Sequence, residues 1–218
     1  MTFGIVLTLI SFLFFSYIKN KSNLEFLNPL LLSIIFIVGF LKLSNIDYES
    51  YKEGADFINA FLTPATIALA IPLKRELAKL KIHLNSLMQG ILIGVLTSAL
   101  TIMLIKFAFA LEEAHYKSLL PKSITTAIGI GISESIGGIP SITVFAIIMT
   151  GIFGSIICKA IFKVFKITNP IARGLSLGCA SHAIGTSKAA ELGEMEAASS
   201  SIGMVVSGLI TVIVGMFL

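Results

Sequence analysis

Charge is scarce in this sequence: Asp, Glu, Lys and Arg together make up 13% of its 218 residues. Soluble domains carry about 25%, so a water-soluble fold has roughly half the polar surface it needs. Cysteine is scarcer still, with two residues. Cys158 and Cys179 both lie in or beside apolar stretches, and one pair gives no disulfide framework. Cys179 and His182 form a C-x-x-H, but no second ligand pair accompanies it, so no metal site is expected. No nucleophile–base pair and no phosphate loop occurs, so neither an enzyme nor a cofactor is expected. No basic residue precedes the first apolar run and no small-x-small site follows it. Residues 1–18 therefore read as a retained helix rather than a cleaved signal.

What is abundant is apolar sequence, 56% of the chain, arranged in blocks with the charges confined to the gaps. The blocks fall at 3–18, 29–43, 57–73, 84–111, 123–158, 171–187 and 199–218. This is the hydropathy pattern of a polytopic helical bundle. The fold class is all-α: a membrane protein of about seven transmembrane helices in a single domain, 1–218, with interrupted or re-entrant segments and a candidate inverted repeat. Its net charge of +4 does not indicate nucleic acid, because the basic residues sit in short loops, as cytoplasmic loops of membrane proteins do. Lys19 and Lys21, then Lys74, Arg75, Lys79 and Lys81, then Lys159, Lys163, Lys166 and Arg173 alternate with gaps that are balanced or acidic. Placing the basic gaps inside gives seven crossings, an outer N-terminus and an inner C-terminus.

Three blocks are interrupted. FLTPATIALAIPL (61–73) holds Pro64 and Pro72, SITTAIGIGISESIGG (123–138) is polar and glycine-rich, and LGCASHAIGTSKAAEL (177–192) is dense in small residues. Non-helical backbone at membrane depth is tolerated only where protein or a watery cavity shields it. A shift of 115 lays Leu62, Ala65, Ala68, Glu76, Leu77 and Ser86 on Leu177, Ala180, Ala183, Glu191, Leu192 and Ser201. The candidate repeat halves are 29–111 and 123–218, and loop charge gives their interrupted segments opposite directions. Such pairs point to a secondary-transporter site.

The polar residues of these breaks are the candidates for binding. Glu134, in ISESIGGIP, is either an ionisable group on a pathway or a headgroup-level residue in a turn set by Gly137, Gly138 and Pro140. His182, with Ser181, Thr186, Ser187 and Lys188 close by, is either part of a carboxylate cradle or a histidine hydrogen-bonded to a neighbouring helix. Ser123, Thr125 and Thr126 are either an anion site at a helix start or capping groups. Thr63 and Thr66, flanking Pro64, admit the same two readings. GILIG (90–94) and GLSLG (174–178) are close-packing signals.

PKSITTAIGIGISESIGGIPSITVFAIIMTGIFG, followed by GLSLGCASHAIGTSKAAELG, resembles the LrgB/CidB family of bacterial inner-membrane proteins. FLTPATIALAIPL resembles that family's pattern too, so the likeness spans nearly the whole chain. The resemblance implies a multi-pass protein of the bacterial cytoplasmic membrane that modulates murein hydrolase activity and autolysis with a small LrgA/CidA-type membrane partner. A plastid relative moves glycolate and glycerate, and bacterial members are linked to pyruvate, which implies small monocarboxylates as substrates. Oligomeric state stays open.

Overall fold

The structure is a computed structural model that describes residues 2–22, 27–61, 64, 67–68 and 70–215, with no side-chain description at 70, 72–73, 76–77 and 79. It is helical, and its contacts divide it into two compact units, Met1–Ala68 and Leu69–Leu218. Among the described residues, four helices are long and apolar enough to cross a membrane: Thr2–Ser22, Leu84–Phe109, Pro140–Val164 and Glu194–Gly215.

The first unit contains α1 (Thr2–Ser22), α2 (Pro29–Leu43) and α3 (Tyr48–Asn59). Asn28 starts α2 by accepting from the N–H groups of Leu30 and Leu31 at 2.9 and 3.2 Å, with Pro29 in the first turn, where its missing N–H costs nothing. Gly4 lets α1 lie directly on the backbone of α3 at Tyr51 and Ala55, and Thr8 bonds the Tyr51 hydroxyl beside it at 2.9 Å.

The second unit contains α4 (Ala70–Lys81), α5 (Leu84–Phe109), α6 (Glu113–Leu119), α7 (Thr126–Ile136), α8 (Pro140–Val164), α9 (Pro170–Leu192) and α10 (Glu194–Gly215). Lys106, in the last turn of α5, pairs with Glu113 at 2.5 Å and lies over the Tyr116 ring, which fixes α6 across the turn at Ala110. The hydrogen bond from that ammonium holds the Glu113 carboxyl below its ordinary range. From Pro121 to Thr125 the chain is not helical, and α7 then runs only 11 residues, about 16 Å at 1.5 Å per residue. It stops at Gly137, whose φ of 79° is the left-handed value that glycine adopts without strain. Pro140 then opens α8, which returns alongside α7: Gly129 faces Thr143 and Ile147, and Ser133 bonds the Thr143 hydroxyl at 2.7 Å. The sequence reading of 123–158 as a re-entrant or broken piece before a conventional span agrees with this geometry in its coarser part, a short broken helix followed by a long apolar one.

The outcome at α9 differs. An apolar run at 171–187 predicts a crossing, yet the chain turns back on itself. His182 has φ 44° and ψ −134°, values that interrupt the helix. A Cβ on Gly185 would land on the carbonyl oxygen of Leu177. Eight residues of continuous helix would separate those positions by about 12 Å. The segment is therefore a hairpin, with an ascending limb 170–181 and a descending limb 183–192. Asn169 caps the ascending limb through the N–H groups of Ile171 and Ala172.

Directions follow from which residues meet. Gly174 lies against Glu196 and Gly178 against Ser200, so the ascending limb and α10 run parallel. Gly90 meets Leu175 and Gly94 meets Cys179, so α5 runs parallel to both. The two G-x-x-x-G runs are thus helix contacts, as the sequence implies. Two expectations are corrected. The pieces of unit 2 that a shift of 115 superposes, α4–α5 and the descending limb with α10, end in spans of the same direction, so within these residues the relation is not an inverted one. The apolar run at 171–187 forms this hairpin and is not among the four described helices long and apolar enough to cross a membrane. Arg75 lies 4.0 Å from Glu194, so the basic segment 74–81 and the acidic segment 191–196 share one side rather than facing opposite sides.

Candidate functional site

The hairpin ends at mid-depth. Its tip meets α8 at the middle of that helix, where Gly151 lies against the His182 ring and Gly154 against the Ser181 hydroxyl. A side chain at either glycine would push the tip away. Burial holds His182 at 3% exposure, and its Nε2 donates to the Ile147 carbonyl at 2.9 Å. Thr186, fully buried, donates to the His182 carbonyl and bonds Ser200 of α10, both at 2.9 Å. His182 and Thr186 therefore brace the tip between α8 and α10; of the two readings of His182, the helix-bonded histidine matches the geometry.

The backbone of His182 has the torsions of the first central residue of a type II′ turn, ordinarily a glycine position. A side chain there costs about 1–3 kcal/mol. This gives an ordered expectation for stability. His182→Ala keeps the strain and loses the bond to Ile147, whereas His182→Gly loses the bond and relieves the strain. The glycine variant should be the more stable of the two by about 1 kcal/mol after its own entropic cost. Thermal unfolding in detergent checks the order, and an alanine variant as stable as the glycine one would rule out a strained tip.

The loop that leads into α7 reaches the surroundings of the tip, where Lys122 and Ser181 line one groove. Thr125 occupies the α7 N-cap without a side-chain capping bond, and Thr126 begins the helix, both half-buried. Just before them, the Lys122 ammonium donates to Ser98 at 3.2 Å and to Ser123 at 3.0 Å, while the two hydroxyls lie 3.2 Å apart. Ser98 sits near the middle of α5. Lys122 borders two open grooves. One, of about 510 Å³, runs between α5 and the ascending limb past Thr97, Ser98, Ser176 and Cys179. The other, of about 440 Å³, runs between α8 and the same limb past Thr150, Gly154 and Ser181.

Of the residues singled out from the sequence, Ser123 borders the first of these grooves and Ser181 the second, and Thr125 and Thr126 follow Ser123 in the chain. Glu134 lies apart, exposed in the last turn of α7, where its carbonyl oxygen accepts from the Gly137 N–H. Lys188 is lower on the descending limb and pairs with Glu191 at 2.6 Å. Thr63 and Thr66 lie outside the described residues. Lys122 and Ser98 are absent from the sequence-derived set. Lys122 reads there as one more loop charge; the polar turn after Pro121 is the only signal that could have drawn it inward.

The LrgB-like family model matches residues 8–218. The chain belongs to that family. Antiholin-like protein LrgB of Bacillus cereus (strain B4264) is 40% identical over 213 residues, covering 97% of this chain and 93% of the relative. Antiholin-like protein LrgB of Bacillus anthracis (strain CDC 684 / NRRL 3495) matches to the same extent. No solved structure matches. Membership in the LrgB-like family agrees with the resemblance carried by the glycine-rich runs, both of which form the mid-depth breaks. Among the described residues no group of three or more His, Cys, Asp or Glu could hold a metal ion.

Proposed function

We propose that this protein is a secondary transporter of small monocarboxylates, of the pyruvate and glycolate class, acting in the bacterial cytoplasmic membrane with a small LrgA/CidA-type partner. One observation supports the reading: the hairpin tip and the loop leading into a short helix border one groove at the middle of the long spans, beside Lys122 and several hydroxyls. Broken helices whose ends point at mid-depth are how transporters expose backbone dipoles to a substrate, and the N-terminal end of α7 favours an anion. In this reading Ser123, Thr125, Thr126 and Ser181 form the substrate face, His182 and Thr186 hold the hairpin, and Glu134 and Lys188 serve the two approaches. A pore formed by simple apolar helices would need no hairpin braced to such a depth.

A second reading is regulation of murein hydrolases and autolysis, favoured by the name antiholin-like that the relatives carry. The two meet if carboxylate flux sets the energetic state on which autolysis depends. Uptake of labelled pyruvate and glycolate into proteoliposomes, with and without the partner and a pH gradient, separates them. Saturable uptake with retention of large dyes is the expected result. Dye leakage without substrate-dependent flux would overturn the transport reading in favour of the second.

A further inference from the structure

We propose that Lys122, with the hydroxyls of Ser98 and Ser123, is the anion subsite of this protein and takes a single carboxylate. The proposal deepens, and rests on, the transport reading above.

Position comes first. The Lys122 ammonium reaches Ser98, near the middle of α5, and borders a groove lined by Thr150 and Gly154, near the middle of α8. It therefore lies level with the centres of two membrane-length helices. A charge at that depth is costly, and such lysines pair with acids or line substrate paths. Ion pairs among the described residues include Lys52 with Glu49, Arg75 with Glu194, Lys106 with Glu113, Glu112 with His115 and Lys188 with Glu191. Lys122 has no acid among the described residues; its bonds go only to two neutral hydroxyls. An ammonium offers three donors and each hydroxyl one. A carboxylate between them would accept from all three side chains and cancel the one charge. A monoanion leaves the loaded site neutral, whereas a dianion leaves an uncompensated negative charge at the same depth. Because Lys122 borders both grooves, a ligand held there touches the α5 side and the α8 side in turn without leaving its counter-charge.

Binding can be read without transport. The purified full-length chain in detergent is unfolded thermally at constant ionic strength against rising acetate, pyruvate, malonate or chloride, since a ligand that binds only the folded state raises the melting temperature. Acetate and pyruvate should raise it, malonate and chloride much less. Losing a charged hydrogen bond costs about 10- to 100-fold in affinity. Lys122→Gln should therefore weaken acetate and pyruvate by about that factor, while Lys122→Arg retains most of the binding. If Lys122→Gln does not fold, Ser98→Ala, which keeps the charge, decides by a weakening of several-fold. Unchanged affinity in the folded variant, no shift with any monocarboxylate, or equal shifts with malonate or chloride would each overturn the subsite. Binding that depends on Lys122 without flux would remove the transport reading and leave the subsite. Flux with binding indifferent to Lys122 would do the reverse.

Discussion

Gly178→Ala should destabilise the folded protein by at least about 3 kcal/mol, the upper part of the range for overpacked interiors. A Cβ at this position would land on the Ser200 carbonyl oxygen of α10. That atom belongs to a helix backbone and cannot rotate aside, so the whole limb 170–181 must retreat. Gly174 is placed likewise against the Glu196 carbonyl and the Ser199 hydroxyl. Between these glycines the limb lies on α10 at backbone distance, and tight backbone approach through small residues is what drives helix association in lipid. The effect should reach the site, because the same limb carries Ser181 and the tip. Gly131→Ala is the control in another polar break: nothing lies within 4 Å of its Cβ, and it is in the interior of α7. There the added methyl should stabilise by about 0.5–1 kcal/mol through helix propensity. Melting temperatures in detergent report both. A Gly178→Ala protein that melts with the wild type would mean that the hairpin does not rest on α10 as described.

These glycines also show what could be read in advance. The apolar blocks, the break before Pro140 and the close contacts at GILIG and GLSLG were legible because Gly and Pro have few other uses inside apolar helices. The turn at His182 was not. Its residue is not a glycine, and hydrophobic periodicity has the same appearance whether a limb continues or folds back. Gly178 and Gly185, which permit the fold-back by meeting Ser200 and Leu177, look in the sequence like ordinary packing residues. Lys122 was hidden for a related reason. Charge between apolar blocks is normally loop charge, and only the descent of residues 121–125 beside α8 carries this lysine to the level of Ser98. His182 and Glu134 stand out because they are rare residue types in their surroundings, but the geometry has one brace the tip and leaves the other exposed in the last turn of α7.

The largest qualitative consequence concerns the C-terminal end, which should lie outside the cytoplasm. Loop charge with seven crossings places it inside. A hairpin at 170–192 removes one crossing, and every later segment changes sides. The contacts supply the check: Arg75 beside Glu194 puts the α4–α5 junction and the start of α10 on one side, and Lys159, Lys163, Lys166 and Arg173 flank the foot of the hairpin. Lys and Arg set orientation while Asp and Glu contribute little, so this side is the cytoplasmic one despite Glu191, Glu194 and Glu196. From there α10 crosses once. Reporter fusions should therefore give high phosphatase activity and no cytoplasmic fluorescence after Gly215 and at Leu111, and the opposite at Ile167 and Gly193. The pair Ile167 and Gly193 is decisive. If they report opposite sides, the chain crosses between them, the hairpin does not exist, and neither does a tip at mid-depth for a substrate to meet.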